Sequence, residues 1–133
     1  MREILFRGKR AINGDWVYGD FVRGNERKSL RDSIFVYDSE TQSFNDYEIN
    51  PSTLGQYTGL TDKNGKRIFE GDIAKVLQGK DKDIAYVGFE NGAFMLYQKT
   101  GNIYERTLWE YWYNDWDVEV IGNITDNQEL LEK

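Results

Sequence analysis

The sequence predicts an all-β, mainly antiparallel protein: an N-terminal β-hairpin region, then an SH3-like small barrel, then a short C-terminal helix. Three observations predict this. Thirteen glycines stand against one proline, so the turns rest on glycine. Twenty aromatic residues, 15% of the chain, join β-branched residues in short runs of the kind that form strands. Asn-Gly pairs at 13–14, 64–65 and 91–92 lie between such runs. Asn-Gly is a strong short-range hairpin signal, because both central residues of a type I′ turn need φ > 0. Asn64-Gly65 is the strongest of the three.

Glu3–Arg7 is the first strand, ended by Gly8. Asn13-Gly14 then turns the chain into Asp15–Val22, where Trp16, Tyr18 and Asp20 share one face. Residues 24–31 are charged and form a loop. Ser33–Tyr37 and Phe44–Ile49 are strands separated by the polar turn Asp38–Ser43. The only proline, Pro51, stops the second of these. It marks the expected boundary between an N-terminal β region, residues 1–52, and a barrel region, residues 53–133, with a single compact unit as the alternative. Leu54–Thr58, Arg67–Phe69, Ile73–Leu77, Ile84–Phe89 and Ala93–Gln98 are the next strands. Gly71 admits a bend between strands. A turn is expected at Lys99–Asn102. Residues 107–117, TLWEYWYNDWD, fit either an aromatic strand or one to two helical turns. Val118–Ile121 is the last strand, and Asn127 caps a terminal helix anchored by Leu130 and Leu131.

Composition excludes much chemistry. The chain has no cysteine and no histidine. Disulfides, thiol nucleophiles, thiolate metal sites and Ser–His triads are therefore absent, and so are the commonest general base and the commonest metal ligand. No apolar run approaches the ~18 residues of a membrane span. The basic N-terminus lacks the apolar stretch of a signal peptide. These features lead to the expectation of a cytoplasmic protein without membrane association. Net charge is −6, unevenly spread. Residues 1–31 carry eight Lys/Arg and four Asp/Glu, whereas residues 32–133 carry nine and nineteen. A basic head and an acidic remainder favour contact between head and tail, within one chain or between copies, over contact with a polyanion.

The stretch Gly55–Leu60, Asp62–Gly65 and Ile68–Ile73 resembles the YopX family of phage and prophage proteins. So do Phe6–Lys9, Asn13–Gly19, Val120–Ile124 and the Asn127, Glu129–Leu131 ending. Gln128 departs from the family, which often has proline there. The resemblance implies a β-rich fold with an SH3-type C-terminal part and a prophage origin in a bacterium. It brings no activity, cofactor or catalytic residue.

Candidate sites are few. Glu70 and Asp72 flank a turn and fit acid–base or Mg²⁺ chemistry, but an Asp in that position more often caps the turn. Asp62-Lys63-Asn64-Gly65-Lys66 has oxygens at alternating positions like a calcium loop. It lacks the glutamate six residues beyond its glycine, where Gly71 stands, and so reads as a turn. No phosphate-cradling glycine motif occurs. The expectation is no catalytic, cofactor or metal site and no enzyme. The candidate interaction surface is Trp109, Tyr111, Trp112, Tyr113 and Trp116. As a strand, this segment would place Trp109, Tyr111 and Tyr113 on one face. The chain reads as a non-enzymatic interaction or self-assembling module whose partner is another copy or another protein. The alternatives are a nucleic-acid-binding barrel using Arg7, Lys9, Arg10, Arg23, Arg27, Lys28 and Arg31, and an enzyme, which the lack of histidine and cysteine disfavours.

Overall fold

A computed structural model of the chain describes residues 2–25, 27, 30–98 and 106–132. The expected turn at 99–102 lies outside the described residues, as does Lys28. The all-β class holds: among the described residues, the strands pair antiparallel in two sheets, and the single α-helix is six residues long. The chain divides into two compact units, Met1–Tyr57 and Thr58–Lys133.

The first unit contains β1 (Phe6–Lys9), β2 (Trp16–Val22), β3 (Ser33–Asp38), β4 (Ser43–Glu48) and the start of β5 (Gly55–Thr61). Their order is β4-β3-β2-β1-β5. The first strand falls downstream of the expected Glu3–Arg7. The 10–15 loop explains why: Arg10 N–H donates to the Asp15 carbonyl at 2.8 Å, which sets Lys9 opposite Trp16. Gly8 lies inside β1 against Ile49 rather than ending it. Pro51 does stop β4's run, starting a 3₁₀ turn at Pro51–Thr53 in which Asn50 Oδ1 accepts from the Ser52 N–H. Thr53 Oγ1 then accepts the Lys9 N–H at 2.8 Å, tying the turn to β1. One face of the sheet brings Phe6 and Phe21 within 5.8 Å and includes the fully buried Ile34.

Gly19, in the middle of β2, leaves no room for a side chain. A Cβ there would lie 2.3 Å from the Phe35 carbonyl oxygen, and backbone cannot step aside as a side-chain tip can. Gly19→Ala is expected to destabilise the first unit by roughly 1–3 kcal/mol through forced separation of β2 and β3. Denaturant unfolding of wild type and Gly19→Ala checks this.

In the second unit β6 (Arg67–Phe69) runs beside the end of β5, where Thr58 Oγ1 donates to the Ile68 carbonyl at 2.8 Å. The five-stranded sheet then has the order β10-β9-β8-β7-β11. Its strands are β7 (Asp72–Gln78), β8 (Asp81–Glu90), β9 (Ala93–Gln98), β10 (Arg106–Thr107) and β11 (Asp117–Asn123). Alternation along each strand sends Ala74 and Val76, Ala85 and Val87, Leu96 and Val118 to one core. Leu108 and Tyr111 of helix α1 (Leu108–Tyr113) complete it.

The type I′ turn sits at Asn91-Gly92, with φ of +52° and +81°, and joins Glu90 to Ala93 directly. At Asn64-Gly65 only the glycine has positive φ, +80°, and a longer loop closes from the Asp62 N–H to the Lys66 carbonyl. The expected terminal helix is a 3₁₀ turn, Gln128–Leu131, that Asn127 does not cap. Its Oδ1 instead accepts the Asn123 N–H at 3.2 Å. Among the described residues, no helix is long and apolar enough to cross a membrane.

Candidate interaction site

The ambiguous aromatic segment folds as the helix α1, so the strand-face pattern does not apply. A capping arrangement starts it. Thr107 Oγ1 accepts the Glu110 N–H and donates to Glu110 Oε1, both at 3.3 Å. Thr-x-x-Glu ahead of apolar residues is a helix-start signature, and it was available in the sequence. The helix stops in a Schellman geometry. Trp116 N–H reaches the Tyr111 carbonyl (3.0 Å) and Asp115 N–H the Trp112 carbonyl (3.2 Å), with Asp115 in the left-handed region at φ +56°. The Tyr111 and Trp116 rings meet edge to face at 5.2 Å across this stop. Asp115→Gly would relieve the left-handed strain and is expected to stabilise the second unit by about 0.5–1 kcal/mol, seen as a raised unfolding midpoint.

Helical spacing separates the aromatics that a strand would have paired. Tyr111 is fully buried and belongs to the core rather than to a contact surface. Burial pushes its hydroxyl pKa up, while the Gln98 amide, which donates to it at 2.6 Å, and Arg106 act to lower it. Trp116 is half-buried beneath the Arg106 guanidinium, 5.3 Å from the ring centroid. Trp109, Trp112 and Tyr113 are 54%, 61% and 67% exposed, and Trp109 stacks on Tyr113 at 4.8 Å. Thus three of the five candidate residues form an outward face.

Opposite α1, the 62–66 loop is pinned to β11 by one carboxylate. Asp62 Oδ1 accepts the N–H groups of Asn64 and Lys66, each at 2.9 Å. Its Oδ2 accepts the Val120 N–H at 2.9 Å. Burial alone would raise the Asp62 pKa. The three N–H donors, from Val120, Lys66 and Asn64, together with the charge of Lys66, outweigh burial and hold it below the usual value of 3.8. The Asp62 sequence reading as a turn residue holds, but its long-range bond to β11 was not foreseen. Lys63 adds an ion pair to Glu119 at 3.3 Å.

Between this loop and α1 lies a groove of about 230 Å³. Tyr111, Trp112 and Trp116 wall one side, and Asp62, Asp115 and Asp117 supply carboxylates. A family model described as YopX protein matches residues 5–132. The chain belongs to the YopX family. Among solved structures, this YopX chain is similar to the crystal structure of protein EF1440 from Enterococcus faecalis. That likeness covers 99% of this chain and 100% of the other, with a TM-score of 0.62 and 23% identity, and it is a likeness of fold. No curated protein matches the sequence.

The basic candidates of the YopX chain are not equivalent. Arg7 is buried, with its guanidinium 4.8 Å from the Trp16 ring centroid, so it is not exposed to a backbone phosphate. Lys9 and Arg10 are half-buried against Trp16 and Tyr47. Arg23, Arg27 and Arg31 are exposed. Sequence reasoning missed an aromatic row on the sheet: Tyr37 pairs with Phe44 across strands at 5.3 Å, and both are 56% exposed. Cross-strand register, unavailable from one strand at a time, creates it. Asp72 caps the turn as expected, Oδ2 accepting the Phe69 N–H at 2.7 Å. Among the described residues, no group of three or more acidic side chains is placed to hold a metal ion.

Proposed function

We propose that this YopX chain is a non-enzymatic protein-interaction module of a prophage, working in the bacterial cytoplasm, with the outer face of α1 as its contact surface. The observation that carries this reading is the exposure of Trp109, Trp112 and Tyr113 on one six-residue helix. Large aromatics are favoured anchors at protein interfaces, and exposing three together has no benefit for a lone chain. The order β10-β9-β8-β7-β11, a meander whose last strand returns beside its first, supports an SH3-type roll as the scaffold. The partner is another protein or a second copy of the chain.

The test uses wild type and the triple variant Trp109→Ala/Trp112→Ala/Tyr113→Ala, each immobilised and exposed to lysate from prophage-bearing cells. Wild type should retain specific proteins, or added copies of the chain, that the variant does not. Equal recovery on both would refute the reading.

A second reading, single-stranded nucleic-acid binding, is favoured by the exposed Tyr37 and Phe44 on the sheet face that also carries Lys9. Labelled DNA and RNA at low salt decide it. Absence of binding at ~100 μM would reject it, since non-specific binders reach that range even at physiological salt.

A further inference from the structure

We propose that the groove beside α1 receives a cationic side chain, arginine or lysine, from a partner protein. This deepens the contact-face reading above and depends on it. The walls are aromatic, with the exposed Trp112 at the lip and Trp116 further in. Indole faces attract ammonium and guanidinium groups through the ring quadrupole. The chain already makes such contacts itself, where Arg106 lies over Trp116 and where Arg7 and Lys9 lie over Trp16.

Charge at the mouth points the same way. Asp115 and Asp117 are exposed, and among the described residues neither makes an ion pair. Among the described residues the lining has a single cation, Lys63, and it is paired with Glu119. With the buried Asp62 also in the lining, three carboxylates stand against one lysine among the described residues, a net negative lining that repels an anionic ligand. Size narrows the choice further. At about 230 Å³ the groove is smaller than the ~300–1,000 Å³ pockets that enclose whole small-molecule ligands, so one side chain suits it better than a cofactor. Arginine and lysine carry an apolar stem that can lie along Leu60 and the indole while the charge meets the aspartates.

The probe is N-acetyl-arginine amide, titrated into the full ¹⁵N-labelled chain. The Trp112 indole N–H resonance is identified from Trp112→Phe, and that of Trp16 serves as the internal control. A single cation–π contact with exposed carboxylates predicts a saturable Trp112 shift with a Kd on the order of 10 mM and a still Trp16. N-acetyl-norleucine amide and N-acetyl-glutamate amide should leave Trp112 unmoved. Asp115→Asn/Asp117→Asn should weaken arginine binding about tenfold, and Asn tolerates the left-handed position of Asp115. Equal shifts with norleucine amide, or parallel unsaturated drift of Trp16 and Trp112, would overturn the proposal. Trp112 shifts that follow protein concentration without added ligand would give the groove to a second copy and also overturn it. Loss of the arginine effect while the triple variant still fails to capture partners would reject the cation and leave the contact face standing. Unimpaired capture by the triple variant would remove the contact face itself.

Discussion

Asp62→Ala should destabilise the second unit by about 3–5 kcal/mol at neutral pH, the loss of charge-assisted hydrogen bonds to three backbone N–H groups in a buried position. Asp62→Asn should fall short of wild type as well, because its NH₂ group would face one of those donors. The pH dependence has a definite sign. The folded pKa of Asp62 lies below 3.8, so its stabilisation is fully present above the unfolded value. It is lost as pH falls below about 4 through the folded pKa. Urea unfolding of wild type and Asp62→Asn should therefore show a gap that is constant near neutrality and closes in that acid window. A gap that persists unchanged below pH ~3 would show that the carboxylate charge is not what fastens the 62–66 loop to β11.

The second large effect is at Tyr111, where substitution by alanine should cost about 3–5 kcal/mol, the range for emptying an aromatic core position. Tyr111→Phe should cost only about 1 kcal/mol, from leaving the Gln98 amide without its hydroxyl partner. The adjacent residues should behave oppositely. Truncating exposed Trp109, Trp112 and Tyr113 should change stability little, about 0.5 kcal/mol or less at each. Denaturant midpoints for these variants separate core from surface within a single turn of helix. A stability loss for Trp112→Ala as large as that for Tyr111→Ala would mean that α1 has no free face.

How much of this was legible depends on the distance over which each residue acts. Asn91-Gly92 reads directly, because both φ values of its turn are properties of those two residues. Asn64-Gly65 reads as a turn but not as its type, since Asp62 takes the N–H groups of Asn64 and Lys66 and enlarges the loop. The bond from Asp62 to Val120, 58 residues away, leaves no local pattern at all. Helix α1 was obscured by its own composition. Trp and Tyr favour strands, and six residues are too few to show a helical period. The Thr107-x-x-Glu110 cap was the signal that resolves it. Once the segment is helical, the five aromatic candidates sort themselves, with Tyr111 inside, Trp116 beneath Arg106 and the other three outside. The basic head was legible only as a count of charges. Packing divides it into a buried Arg7, half-buried Lys9 and Arg10, and exposed arginines.

The most direct measurement on α1 as a contact face is the affinity of a captured partner for wild type against Trp112→Ala, at matched stability. An interface anchor costs about 2 kcal/mol or more when truncated, which predicts a loss of roughly thirtyfold. Affinities within about twofold of each other would contradict the assignment of the working surface to α1.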